Sequence, residues 1–158
     1  MKTMNLIGLN AEKSRVLVDS LNDLLANYQL FYQNLRGFHW NIKGDRFFEL
    51  HLKFEEYYND AILKIDEIAE RILTLEGTPL HAYSAYMKQA EIKEVTNVSD
   101  GNTCVREIVN GLVVLVKKER EILALAAEAG DDGTQDMINP YISQQEKTLW
   151  MLRAYLNE

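Results

Sequence analysis

Two pairs of ionisable side chains in one long helical stretch have the types and spacing that suit metal binding. His51 and Glu55 are four residues apart, and so are Asp66 and Glu70, so the members of each pair are neighbours on a helix surface. The flank they occupy also carries apolar residues: Leu52, Ile62, Ala69 and Leu73. Carboxylates placed among apolar residues are costly to bury unless a metal ion, a basic partner or a protein interface compensates them.

The separation of the two pairs predicts that one chain cannot complete a metal site. His51 and Asp66 are fifteen residues apart, which is ~22 Å along a helix that rises ~1.5 Å per residue. Two copies of this helix, crossing antiparallel about a two-fold axis near residues 58–59, would bring each His51/Glu55 pair beside the partner's Asp66/Glu70 pair. His39 is the natural additional ligand, and such a set suits iron, manganese or zinc.

Each of these residues also has a simpler interpretation. A histidine beside Trp40 often packs in a core or caps a helix, and an Asp-x-x-x-Glu pair often lies on a solvated helix face. A di-iron centre inside one bundle would use Glu-x-x-His repeats, and the chain contains none. The shared flank and the complementary spacing favour a ligand set divided between two chains.

The periodicity of apolar residues predicts a first and a second long helix. In the first, apolar residues recur in steps of four and three from Leu17 to Phe38, which is typical of a helix in a left-handed bundle. The second follows residues 41–44, with Asp45 as its N-cap. It is expected to end at Gly77, a C-cap glycine that a proline follows closely.

The same periodicity predicts a third and a fourth helix. The third begins near Asp100 and ends at Gly130. The fourth follows Thr134, and we expect its start a residue or two later because Pro140 would fall in its first turns.

A long connection separates the second helix from the third. Residues 80–98 leave room for a short helix over 82–89. A bundle with two short connections and one long one is the ferritin-like arrangement. The sequence therefore predicts one all-α domain over 1–158, a four-helix bundle with a short helix in its long connection.

The composition is that of a soluble protein with one hydrophobic core. The 158 residues are 47% hydrophobic and 26% charged, and the net charge is −7, which argues against a protein built to wrap phosphate backbones. The chain shows no apolar run that would serve as a signal peptide or cross a membrane. Its single cysteine, Cys104, forms no intrachain disulfide, so we expect a cytoplasmic protein.

Three segments resemble the Dps family of mini-ferritins, proteins associated with DNA protection during starvation. They are 34–44 (NLRGFHWNIKG), 47–55 (FFELHLKFE) and 66–72 (DEIAERI). The segment 77–79 (GTP) is similar to the one that follows the family's second helix. The segment 146–152 (EKTLWML) is similar to part of the family's fourth helix. The resemblance covers nearly the whole chain.

The resemblance implies a dodecameric shell with ferroxidase centres at its two-fold interfaces. His39, His51 and Glu55 would come from one subunit, and Asp66 and Glu70 from its partner. Glu55 would serve a weaker second metal position. Iron would be oxidised by hydrogen peroxide, or more slowly by dioxygen, and the ferric product would be stored in the cavity.

Two further features are interpreted through the same resemblance. Trp40 would border the centre and be oxidised itself, which would limit radical escape; the alternative is plain packing. The turn over 130–136 resembles an acidic pore through which iron enters, lined by Asp131, Asp132 and Asp136. The alternative there is a solvated turn in which Thr134 or Asp136 caps a helix.

Two rival functions remain open at this point. Some members of the family condense DNA through lysine-rich tails, but the first sixteen residues offer only Lys2, Lys13 and Arg15 as basic groups. This argues against direct DNA binding, although divalent cations could form a bridge. The second rival is a structural assembly with unused metal sites.

Overall fold

The computed structural model describes residues 3–158 and contains five α-helices with no β-strand in that range. The helices are α1 (Ala11–Asn41), α2 (Phe47–Thr74), α3 (Tyr83–Gln89), α4 (Gly101–Ala129) and α5 (Asp132–Tyr155). The predicted all-α bundle with a short helix in its long connection is confirmed. Lys2, one of the basic residues counted near the N-terminus, lies outside the described residues. None of the helices found in 3–158 is long and apolar enough to cross a membrane.

The hydrophobic core lies between the four long helices. α1 packs against both α2 and α4, and α4 packs against α5. The α1 positions predicted from the step of four and three are buried: Leu17, Leu21, Leu24, Tyr28, Phe31, Leu35 and Phe38. At the crossing of α1 and α4, a Cβ on Gly111 would lie 2.7 Å from a ring carbon of Phe31, so glycine allows the two helices to approach closely.

The predicted ends of α4 are confirmed. Asp100 is the N-cap, and its carboxylate accepts a 2.8 Å hydrogen bond from the backbone N–H of Thr103. Gly130 terminates the helix in the left-handed conformation with φ 67°. The first N–H groups and the last carbonyl groups of a helix have no intrahelical partner. Asp100 supplies an acceptor at the first end, and the left-handed Gly130 redirects the chain at the last.

The predicted caps of α2 are wrong by one residue at its start and by two at its end, where Leu75 is the C-cap. Residues 44–47 form a tight turn, so Asp45 lies too early to cap, and Arg46 takes the N-cap position without a side-chain bond. At the other end Glu76 adopts the left-handed conformation with φ 65°. Gly77 follows it and donates to the carbonyl of Ile72; a Cβ there would lie 2.5 Å from a methyl group of Val18.

The fourth bundle helix, α5, begins earlier than its sequence predicts. Asp131 is its N-cap and accepts a 3.0 Å hydrogen bond from the backbone N–H of Thr134. Pro140 therefore lies inside the helix, not in its first turn, and α5 accommodates a residue that has no N–H to donate.

Two buried asparagines of α1 hold the long connection in place. The side-chain oxygen of Asn27 accepts 3.0 Å hydrogen bonds from the backbone N–H groups of Glu91 and Ile92. Asn34 donates to the carbonyl of Lys93 and accepts from the N–H of Val95. These bonds give partners to backbone groups of the connection, among them the N–H of the buried Ile92.

A polar cluster of three side chains lies inside the bundle. Glu119 is fully buried; its Oε1 atom accepts 2.6 Å and 3.1 Å hydrogen bonds from the hydroxyl of Tyr28 and the amide of Gln145. Its Oε2 atom and the Oε1 atom of Gln145 have no partner among the described residues. Burial raises the pKa of Glu119 to about 7, although the two hydrogen bonds oppose that shift.

Candidate metal centre

His39 and His51 bind each other where α1 turns into α2. The Nδ1 atom of His39 lies 2.6 Å from the carbonyl oxygen of His51, and the Nδ1 atom of His51 lies 2.7 Å from the carbonyl oxygen of His39. The carbonyl of His39 is free to accept because it belongs to the last turn of α1, where no further helical N–H reaches it. The reciprocal bonds fix both rings.

These bonds also determine which nitrogen of each ring can bind a metal. A carbonyl oxygen only accepts hydrogen bonds, so each Nδ1 carries the proton and donates it. Each Nε2 atom of a neutral ring then has a free lone pair, which is the form of histidine that coordinates metal ions. The arrangement therefore offers two imidazole ligands in one small region of the chain.

Aromatic side chains support both histidines. The two imidazole rings stack with centroids 3.8 Å apart and an interplanar angle of 14°. Phe47 stacks on His51 at 4.9 Å, and the ring of Tyr58 meets His39 edge-on at 5.3 Å. His39 is 7% exposed, so it is a buried histidine, as its simpler interpretation requires, but its hydrogen bond leaves Nε2 available.

The predicted carboxylate ligands lie further along α2. Glu55 is half-buried one turn after His51, whereas Asp66 and Glu70 are exposed. Nowhere in 3–158 does a single chain bring three His, Cys, Asp or Glu side chains together in a group that could hold a metal ion. The structure thus brings together His39 and His51, with Glu55 one turn away, and leaves the Asp66/Glu70 pair at the other end of the helix.

The flank of α2 that carries these carboxylates is apolar and exposed in one chain. Leu52, Ile62 and Leu73 are 57%, 42% and 58% exposed. Asp66 and Glu70 lie between them in sequence on the same flank. A row of exposed leucine and isoleucine side chains with charged groups among them is typical of a surface that another protein covers.

Trp40 follows His39 at the end of α1 and is 56% exposed. The guanidinium of Arg36 lies 4.6 Å from the centre of its ring, a cation–π contact. The role of Trp40 at the edge of the site stays a prediction.

The acidic turn between α4 and α5 does not present all three of its predicted carboxylates to solvent. Asp132 and Asp136 are exposed. Asp131 is 2% exposed and forms an ion pair with Arg71 at 2.5 Å. The cap is thus supplied by Asp131, not by Thr134 or Asp136, and the Asp131 carboxylate is buried within its own chain.

Sequence reasoning did not single out Arg71, Tyr58 and Phe47 among the residues around the site. Phe47 is four residues before His51 and Tyr58 is seven after it, which on a helix places all three side chains near one stripe. Arg71 directly follows Glu70 and looks like one more charge on a solvated face, so its sequence neighbourhood gives no sign of the buried ion pair.

The five helices and the histidine-carboxylate pattern define the class of protein, a ferritin-like helical bundle. The family model of the ferritin-like domain matches residues 18–158. The chain is 44% identical over 154 residues to a DNA protection during starvation protein of Porphyromonas gingivalis, covering 98% of this chain and 97% of that protein. It is also 51% identical over 148 residues to an uncharacterised protein of Haemophilus influenzae, covering 94% and 92% of the two chains.

Solved structures agree with these sequence relationships. The crystal structure of a Dps protein from Vibrio cholerae O1, described as a member of a superfamily of ferritin-like diiron-carboxylate proteins, superposes with a TM-score of 0.97 at 53% identity, covering 99% of this chain and 98% of that one. A Dps protein from Bacillus brevis has a TM-score of 0.88 at 38% identity, covering 92% and 97%. The chain belongs to the Dps family.

Proposed function

We propose that this protein oxidises ferrous iron at sites shared between two subunits and stores the ferric product. The observation that carries the proposal is the reciprocal histidine pair, which leaves the Nε2 atoms of His39 and His51 free to bind a metal. The Vibrio cholerae relative's description as a diiron-carboxylate protein supports iron as the metal. Iron is the substrate of this reaction and the material that is stored.

The residues present fit a ferrous ion by their chemistry. Neutral imidazole nitrogens from His39 and His51, together with carboxylates from Asp66 and Glu70, form a mixed nitrogen and oxygen set that suits iron. Glu55 lies one helical turn from His51 and supplies a further oxygen for a second, weaker position. Phe47 and Tyr58 hold the imidazole rings in place, so little ordering remains for binding to impose.

Two copies of α2 in antiparallel contact complete the site. The exposed apolar flank of one α2 would cover that of its partner, with the two-fold axis near residues 58–59. The Asp66/Glu70 pair of one chain then lies beside the histidines of the other, and each dimer holds two equivalent sites. Burying the carboxylates in this interface is costly unless iron compensates their charge.

The oxidant in this proposal is hydrogen peroxide. Two ferrous ions each give one electron, and peroxide takes both electrons with two protons to form two molecules of water. Pairwise transfer avoids the hydroxyl radical that a single electron would release from peroxide. When a radical does form, Trp40, which is exposed beside His39, would itself be oxidised and so limit the escape of the radical.

The assembly and its location are part of the same proposal. We infer a closed shell of twelve subunits in the cytoplasm, where ferric mineral collects in the cavity. Asp132 and Asp136 from neighbouring chains would line an acidic pore that draws cations inward. The buried Asp131 carboxylate is left out of that pore.

Anaerobic loading of the purified protein with ferrous iron, followed by one addition of hydrogen peroxide, tests this function. We expect ferric absorbance to rise faster than in a protein-free control. We also expect the iron to elute with a large soluble assembly on a sizing column. Oxidation at the rate of the control, with iron separating from the protein, would contradict the proposal.

A further inference from the structure

Arg71 joins the metal-binding helix α2 to the acidic turn between α4 and α5. Its Nε atom donates a 2.9 Å hydrogen bond to the hydroxyl of Thr134, and a terminal nitrogen lies 2.5 Å from the Asp131 carboxylate. The Asp131 side chain is 2% exposed and that of Arg71 is 17% exposed. A charge pair this shielded is weakened little by salt, and it loses much when one partner is removed.

Both oxygens of the Asp131 carboxylate are already used within the turn. Oδ1 accepts from the backbone N–H of Thr134 and from Arg71, and Oδ2 accepts from the Thr134 hydroxyl. A carboxylate with these partners acts as a helix cap and an ion-pair partner. Its role here is to stabilise the turn.

Gly133 shows how closely the guanidinium of Arg71 approaches the backbone of the turn. A Cβ on Gly133 would lie 2.9 Å from both terminal nitrogens of Arg71. The planar guanidinium therefore lies directly over the first turn of α5. Lysine would keep the charge but cannot reproduce the two-pronged contact with Thr134 and Asp131.

We propose that Arg71 is a positioning residue that holds the acidic turn at a fixed place against the Glu70 end of α2. The exposed carboxylates of Asp132 and Asp136 lie one and five residues after Asp131. Their position therefore depends on the contacts that Arg71 makes with Asp131 and Thr134. The functional part of the inference rests on the proposed ferrous oxidation, since it is ferrous ions that the turn would deliver. The structural part stands on the contacts of one chain.

Hydrogen–deuterium exchange tests the structural part without any iron. Arg71→Lys and Gly133→Ala each disrupt the contact between Arg71 and the turn. The first removes the guanidinium, and the second adds a methyl group that displaces it. We expect each to speed backbone exchange over 130–136 by about tenfold, since the charged hydrogen bonds that resist local opening are lost. The control is Arg106→Lys, because Arg106 pairs with Glu158 at the surface with both side chains about half exposed.

Ferrous oxidation kinetics test the functional part on the same assembled proteins. We expect Arg71→Lys to raise the ferrous concentration at half-maximal rate roughly tenfold, as loss of a supporting contact commonly does, while the rate at saturating iron stays within about twofold. Adding Asp132→Asn and Asp136→Asn to Arg71→Lys should raise the ferrous concentration at half-maximal rate little further. The reason is that all three changes impair the same step, delivery of ferrous ions by the acidic turn.

The outcomes separate this inference from the proposed function. Exchange over 130–136 that is unchanged in both Arg71→Lys and Gly133→Ala would overturn it, whatever the iron kinetics. Faster exchange together with fully additive effects of the Asp132 and Asp136 changes would overturn the delivery role. If the wild-type protein does not oxidise iron, the proposed function fails, and the exchange measurements still decide whether Arg71 positions the turn.

Discussion

The double substitution His39→Ala and Asp66→Ala is expected to slow ferrous oxidation by at least about a hundredfold, since changes to mere supporting partners of metal ligands already cost 10- to 100-fold. In the two-fold arrangement, every site loses one nitrogen and one oxygen ligand. The initial rate of ferric absorbance after peroxide addition measures the effect. A rate equal to that of wild type would contradict the ligand assignment.

Controls for this double substitution must show that the loss comes from the ligands. His39 also donates to the carbonyl of His51, so the variant's assembly size and helix content are measured beside its rate. The matched variant is His81→Ala with Glu121→Ala, which removes an exposed histidine and an exposed carboxylate far from the α1–α2 turn in sequence. It should oxidise iron as fast as wild type.

Glu119→Gln is expected to remove a pH dependence from the stability of the bundle. The ordinary pKa of the group is 4.5, and burial raises the pKa of folded Glu119 to about 7. Below pH 4.5 the Glu119 carboxyl is protonated in both the folded and the unfolded state, and its favourable contribution to folding stability is complete. That contribution is lost as pH rises through about 7, because the folded state must then hold a buried charge. A shift of this size corresponds to about 3 kcal/mol.

The amide of glutamine cannot ionise, so the variant imitates the neutral acid at every pH. In the variant, the amide N–H group takes the place of Oε2. In wild type that oxygen atom has no hydrogen-bond partner among the described residues. We expect the unfolding free energy of the variant to exceed that of wild type by about 3 kcal/mol at pH 8 and by little at pH 4.5.

Denaturant unfolding at a fixed protein concentration across that pH range measures the difference. Glu121→Gln, an exposed change on the same helix, is the control and should follow wild type. A difference between Glu119→Gln and wild type that is the same at pH 4.5 and pH 8 would show that Glu119 does not titrate in this range.

Much of the fold could be predicted because each long helix repeats its apolar residues and shows its own stop signals. Leu17 to Phe38 fixed one face of α1, and Gly130 marked the end of α4. The misplaced caps have local causes. Asp45 is diverted into a turn, and Glu76 takes a left-handed conformation that the neighbouring glycine was expected to adopt.

The relation between His39 and His51 shows what sequence alone leaves out. Their spacing marks both as candidate ligands, but the mutual hydrogen bonds to each other's carbonyls depend on how the α1–α2 turn closes. The side-chain partners of Asp131 likewise depend on packing between distant helices. Its neighbours in sequence indicate an acidic surface, whereas Arg71, sixty residues away, makes it a buried partner.

Glu119 was overlooked although its sequence carried a signal. It falls between Leu115 and Ile122 in steps of four and three, so it occupies a core position of α4. A carboxylate at such a position requires polar partners from other helices. Tyr28 and Gln145 supply them, and only the packed bundle shows that these two residues meet Glu119.

The shared site is tested most directly by co-assembly of two inactive variants. His39→Ala and Asp66→Ala chains, coexpressed with different tags and purified through both, form interfaces between unlike chains. Each such interface holds one doubly damaged site and one intact site, because the intact histidine of one chain meets the intact aspartate of the other. With random pairing, about a quarter of all sites are restored.

We expect each variant alone to oxidise iron at close to the protein-free rate, and the mixed assembly to regain about a quarter of the wild-type rate. A mixed assembly as inactive as its two parents would contradict the shared site, since a centre built within one chain is damaged in every subunit.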